Sequence, residues 1–124
     1  MMATRVILSA FALAGLLIAP AAVRAHAFLD HSDPAVGSTV PASPTVIHLW
    51  FTQQVEPAFS SVTVTDQSGA SMNDGPSAID PSNQSELDVK LKHLTGGSYT
   101  VKWHVLSVDT HTTEGDFSFH VGKG

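Results

Sequence analysis

The chain has 124 residues, 43% of them hydrophobic, with six lysine and arginine residues against eleven aspartate and glutamate residues and a formal net charge of −5. That balance excludes a protein that grips nucleic acid through basic patches, because phosphate binding is built on clustered lysine and arginine. No cysteine is present, so neither a disulfide framework nor a thiolate metal site is available.

Residues 1–25 read as a secretory leader. Arg5 supplies the positive start, residues 6–19 form an apolar run interrupted by Ser9 and Gly15, and Pro20 closes it. Val23 and Ala25 are small enough for the cleavage subsites. The run is about fourteen residues, short of the roughly 20 that cross a bilayer, which favours a cleaved signal over a membrane anchor. A cut after Ala25 leaves residues 26–124 as one domain, long enough for one hydrophobic core. A cut after Ala22 is the alternative, and it would leave the new α-amine three residues ahead of His26. Export without disulfides fits a bacterial periplasm or cell exterior. Without Arg5 and Arg24, four lysines face eleven acidic residues, a balance compatible with holding cations.

Downstream, the signals are almost all β. The stretch from Asp33 and Pro34 to Pro44 is rich in Pro, Gly and Ser and links a first strand to a second. Ile47, Leu49 and Phe51 alternate with Val46, His48 and Trp50, and Val62 and Val64 alternate with Ser61, Thr63 and Thr65. Residues 66–85 are polar, with Gly69, Gly75, Pro76 and Pro81, and read as a long loop with one short strand near residues 70–72. Leu87, Val89 and Leu91 alternate with Asp88, Lys90 and Lys92. Gly96 and Gly97 mark a tight turn. Tyr99, Val101, Trp103 and Val105 then alternate with Thr100, Lys102, His104 and Leu106, and Phe117, Phe119 and Val121 with Asp116, Ser118 and His120. Period-two alternation puts one face in a core and one in water. About seven such strands with turns between them predict an all-β sandwich or small barrel.

The chemistry-bearing candidates lie at the two ends of that domain. If cleavage follows Ala25, His26 becomes the first residue, and its α-amine and imidazole can chelate one ion. Asp109 and His111 are two apart, so in an extended segment a carboxylate and an imidazole face the same side. They follow the strand that ends near Ser107, at a sandwich end where loops build sites. The plain alternative is a pair of solvated loop residues and a histidine that merely happens to come first. Together, the amine, two imidazoles and one carboxylate oxygen make a donor set suited to copper(II), the tightest-bound of the common divalent ions. The amine sheds its proton readily near neutral pH, with an ordinary pKa of about 7.7–8.0. His48, His104 and His120 fall on outer strand faces and read as solvent-facing, as does His93 beside the Gly96 turn. His31 reads as a surface turn residue that lies near the N-terminus. Trp103 belongs to the core, whereas Trp50, in the opposite register, is read as covering an edge or facing a partner.

These residues resemble the CopC family of periplasmic copper-binding proteins along essentially the whole exported chain. His26, Ala27, Phe28 and Leu29, with Ser32, Pro34, Ala35 and Gly37 following, resemble the family's opening. Leu49, Trp50, Phe51 and Thr52 resemble its Leu-x-Phe-Ser strand. Gly97, Tyr99, Val101 and Trp103 resemble Gly-x-Tyr-x-Val-x-Trp. Ser107, Asp109 and His111, then Gly115, Phe117, Phe119 and Val121, resemble its close. The resemblance implies an immunoglobulin-like Greek-key β-sandwich or barrel. It also implies one copper(II) ion held by His26 through amine and ring nitrogen, with Asp109 and His111, in a carrier or buffer for copper homeostasis or resistance rather than an enzyme. Implied partners are the copper ion and a CopD-like membrane protein or another periplasmic copper protein, with the chain a monomer.

Two departures stand out. Gln53 occupies the place where many members carry a glutamate near the metal, with Glu56 three residues on. The loop that is Met-rich in copper(I)-binding members holds only Met72 here, so a copper(I) site is not expected, since copper(I) selects soft thioethers. Two other functions are compatible with these residues: a histidine-brace copper enzyme resembling lytic polysaccharide monooxygenases, and a metal-free interaction sandwich.

Overall fold

A computed structural model of the protein describes residues 27–122. Eight strands occur in chain order: β1 (Leu29–Asp33), β2 (Thr39–Val40), β3 (Val46–Phe51), β4 (Ser61–Thr65), β5 (Ala78–Asp80), β6 (Asn83–Lys90), β7 (Gly97–Leu106) and β8 (Thr112–Val121). They form two four-stranded sheets, in the orders β1-β3-β6-β5 and β2-β8-β7-β4. The alternating runs become strands as expected, and the face each run buries is its apolar one. Ile47, Leu49 and Phe51 of β3 and Leu87 and Val89 of β6 meet Val62, Val64, Val101, Val105 and Phe119 from the opposite sheet in one core.

Two strands arise where the sequence predicts connections. The two-residue β2 pairs parallel with the end of β8, Thr39 beside His120 and Val40 beside Val121. The predicted long loop 66–85 contains β5, which pairs with β6, while the expected strand at 70–72 reduces to single bridges at Ser71 and Asn73. Both strands are too short to show an alternating pattern, so ladder bonds to a longer neighbour, not their own composition, define them. Asp80 closes the β5–β6 turn by accepting from the Ser82 amide at 2.9 Å and its hydroxyl at 3.0 Å.

The longest pairing joins β7 to β8 from Gly97 opposite Val121 to Leu106 opposite Thr112. Trp103 lies within it. Its indole packs edge-to-face on Phe51 with ring centres 5.3 Å apart, which bridges the two sheets. Directly across the ladder stands Gly115, and a Cβ there would come within 2.7 Å of the Trp103 ring. Only a residue without a side chain lets the indole lie flat on the β8 backbone. Gly115→Ala is therefore expected to destabilise the fold by about 1–3 kcal/mol through forced displacement of a packed ring. The check is a lower midpoint in urea unfolding at unchanged slope. Gly122→Ala, where the added carbon meets nothing nearer than 3.5 Å, serves as the near-neutral comparison, and equal midpoints for the two variants would refute the steric account.

Candidate metal centre

The connection between β7 and β8, residues 107–111, is a closed turn and not the extended segment that the Asp-x-His spacing assumed. The Ser107 amide donates to the His111 carbonyl at 2.9 Å, and the Thr110 amide donates back to the Ser107 carbonyl at 2.9 Å. Thr110 adopts a left-handed backbone with φ 71°, a conformation uncommon outside glycine that reverses the chain within one residue. The turn, not strand alternation, brings the two side chains together: His111 Nδ1 lies 3.4 Å from Asp109 Oδ1. Both side chains remain accessible, at 37% for Asp109 and 53% for His111.

Ser107 anchors this arrangement. It is completely buried, and its hydroxyl donates to Asp109 Oδ1. That bond is the leading reason the Asp109 carboxyl lies below the ordinary carboxylate range; desolvation opposes it, and the bonds and charge of His111 add to the lowering. A neighbouring loop grips the same turn from outside: Val55 bridges Ser107, Glu56 donates its amide to the Leu106 carbonyl at 2.8 Å, and Val108 donates to the Gln54 carbonyl at 3.1 Å. Gln53 and Glu56 belong to this loop.

The first described residue is fastened to the same end. Ala27 is fully buried, and its carbonyl accepts from the Thr113 hydroxyl at 2.5 Å. Thr113 stands two residues beyond His111 on β8. Phe28 and Thr52 then exchange two bonds, the Phe28 amide to Thr52 Oγ1 at 2.9 Å and the Thr52 amide to the Phe28 carbonyl at 2.8 Å. Asp109 and His111 are thus brought together, with Ala27 fastened to the strand that follows them. His26, like the predicted leader and its cleavage point, lies outside the described residues.

A second grouping was missed in the sequence. His48 does lie on the outer face of β3, but it is only partly exposed and faces two carboxylates of β6: its Nδ1 is 2.8 Å from Asp88 Oδ1 and 3.0 Å from Glu86 Oε2. Trp50 donates its indole N–H to Glu86 Oε1 at 2.9 Å, and His31 stacks on Trp50 with ring centres 4.4 Å apart. Burial alone would lower the His48 imidazole, but the bonds and charges of Asp88 and Glu86 outweigh it and leave the ring above its usual value. Burial and the nearby Asp88 push the Glu86 carboxyl up. The available signal was two period-two pairs, His48 with Trp50 and Glu86 with Asp88. Their meeting depends on the β3–β6 register, which joins residues about forty apart. His93 and His104 are exposed, and His120, also exposed, pairs with Ser98. Met72 packs against the core edge.

Strand order and packing define this as an immunoglobulin-like β-sandwich with its loop-borne imidazole–carboxylate pair at one end. The CopC domain model matches residues 29–122, and the chain belongs to the CopC family. It is similar to Protein YobA of Escherichia coli K12, with 40% identity over 106 residues and 85% of each chain covered. Copper resistance protein C of Xanthomonas campestris pv. juglandis shares 32% identity over 127 residues, spanning 98% of this chain and 99% of that one. Among solved structures, CopC from Methylosinus trichosporium OB3b superposes with a TM-score of 0.74 at 36% identity, covering 79% of this chain and 95% of that one.

The Asp109 carboxyl yields a signed pH prediction. Because it ionises more easily folded than unfolded, its stabilising contribution is present above the ordinary carboxylate value of about 3.9 and is lost as pH falls through the lower folded value. Ser107→Ala removes the leading cause. In the metal-free protein, the Asp109 midpoint, followed by carboxyl-carbon NMR, should rise toward the ordinary value. A midpoint that does not move would show that Ser107 does not set it.

Proposed function

We propose that the protein is a periplasmic copper(II) carrier or buffer that binds one ion at the exported N-terminus and serves copper homeostasis or resistance. The ligands are the α-amine and imidazole of His26 with the side chains of Asp109 and His111. The observation that carries this reading is the Asp109–His111 pair, 3.4 Å apart on a turn whose neighbouring strand also fastens Ala27. In a chain cut after Ala25 the amine belongs to His26, the residue bonded directly to Ala27, and successive Cα atoms are about 3.8 Å apart. That spacing supports a terminal histidine that reaches the turn.

The donor chemistry selects the ion. Three nitrogens and one oxygen suit the tetragonal preference of copper(II). Ser107 holds the Asp109 carboxylate in place, and an aspartate is already ionised near neutral pH, so no proton need be expelled from that ligand when the ion arrives. Met72, packed on the core edge, is a single thioether where a soft ion would need several. Gln53 adds no charge, so Asp109 carries the anionic share of the set. Four protein ligands would leave little room for a substrate, which favours binding and transfer over catalysis. The receiving or donating protein is then a membrane copper protein of the CopD type or another periplasmic copper protein, and the carrier acts as a monomer. The name of the Xanthomonas relative, Copper resistance protein C, agrees with this reading.

Copper(II) titration against a competing chromophoric chelator tests it. One extra residue ahead of His26, His26→Ala, Asp109→Ala or His111→Ala should each weaken binding at least tenfold, about 1.4 kcal/mol. Unchanged affinity in the extended protein would overturn the N-terminal site. An intact mass of the exported protein reports the cleavage point directly.

A further inference from the structure

We infer that His48, Glu86 and Asp88 form a second metal site, for a borderline divalent transition ion such as zinc(II) or copper(II), on the outer face of the β1-β3-β6-β5 sheet. It shares no residue with the proposed N-terminal site and does not rest on that reading.

Geometry carries the inference. Each residue offers one ligand atom, and these atoms all lie within 4.8 Å of one another. Both carboxylate oxygens converge on one ring nitrogen, at 2.8 and 3.0 Å. That nitrogen carries at most one proton, so a single N–H cannot serve both acceptors well. A cation between the three atoms satisfies all of them at once, with Nδ1 giving its lone pair and the ring proton held on Nε2.

The ligands are set by strand pairing, not by mobile loops. His48 lies directly across from Asp88, and Trp50 directly across from Glu86, so all four side chains share one face. Glu86 is held further. Its side chain is 9% exposed, and Oε1 is occupied by the Trp50 indole N–H at 2.9 Å, which leaves Oε2 turned toward His48. An outer hydrogen bond that orients a ligating carboxylate is a usual companion of a metal ligand.

Charge points the same way. Two carboxylates here, with Asp80 close enough to act on both Glu86 and His48, exceed the single positive charge that a protonated His48 can bring. A divalent ion balances them more fully. Access exists as well: a surface cleft of about 500 Å³ has His48 and Asp88 in its wall, together with Asp74 and Asp80, and Lys90 as its cation.

One imidazole nitrogen and two carboxylate oxygens, without sulfur, match borderline divalent ions. They match neither copper(I) nor calcium, which takes six to eight oxygens. Three protein ligands leave a fourth coordination position open to water.

The test uses the full exported protein carrying Asp109→Ala and His111→Ala, which disables the first site. Zinc(II) and copper(II) are added separately. Bound metal is counted by native mass spectrometry, and copper(II) is also followed by quenching of Trp50 fluorescence. One ion should remain bound, and His48→Gln or Asp88→Asn should weaken it at least about tenfold while the circular dichroism stays that of the folded sandwich. Trp50→Phe should abolish most of the quenching and, by releasing the Glu86 carboxylate, also weaken binding. Asp88→Asn, at the more exposed ligand, decides the question if His48→Gln does not fold. No bound ion, or binding indifferent to these ligand substitutions, would overturn the second site. Loss of the N-terminal site alone would leave it intact.

Discussion

The β7–β8 ladder is the constraint on which the rest depends. It is the longest strand pairing among the described residues, and it supplies the core with Val101, Trp103, Val105, Phe117 and Phe119 from one continuous hairpin. Its closing turn places Asp109 against His111, and its second strand offers Thr113 to the carbonyl of Ala27. Packing and chemistry are therefore coupled through one register. A slip of a single residue would turn the apolar row outward, separate Trp103 from Gly115 and take Thr113 away from Ala27. Burying the row fixes the register far more strongly than any single polar contact at the turn.

Much of this could be read in the sequence, for a physical reason. Strands with one buried face must alternate, and the runs at 46–51, 61–65 and 99–106 do so plainly. The shortfalls share a cause. β8 begins at Thr112, well before the apolar residues that reveal it, because Thr113, Glu114 and Gly115 are strand by virtue of their partner on β7. β6 begins at Asn83 for the same reason. The polar start of each strand resembles loop until its partner is known. At the turn, Asp109 and His111 do lie side by side, but a left-handed Thr110 and a buried Ser107 achieve what alternation was expected to do. His48 shows the complementary difficulty. Its place on an outer face was legible, but an outer face is not always water. Trp50 lies over Glu86 and makes a half-buried polar layer on the outside of the sheet.

The two polar groupings handle charge differently. Asp109 is an accessible carboxylate eased into ionisation by one buried hydroxyl, so little work is needed to keep it anionic. Glu86 is an enclosed carboxylate beside Asp88, pushed upward by burial and by that neighbour and steadied by His48 and the Trp50 indole. Enclosed groups of this kind are sensitive to whatever cation stands beside them, because screening by water is weak there. The same β-sandwich thus presents an accessible loop-borne pair and a sheet-borne trio in which Glu86 is the enclosed member.

Residues outside the ladders of a sandwich usually keep some freedom, because nothing compensates what is lost in ordering them. At Ala27 that freedom is already gone: the residue is sealed in the core and its carbonyl is spoken for by Thr113. The strand at Leu29–Asp33 is therefore entered from a fixed point, and it inherits a starting position that its own ladder bonds did not have to set.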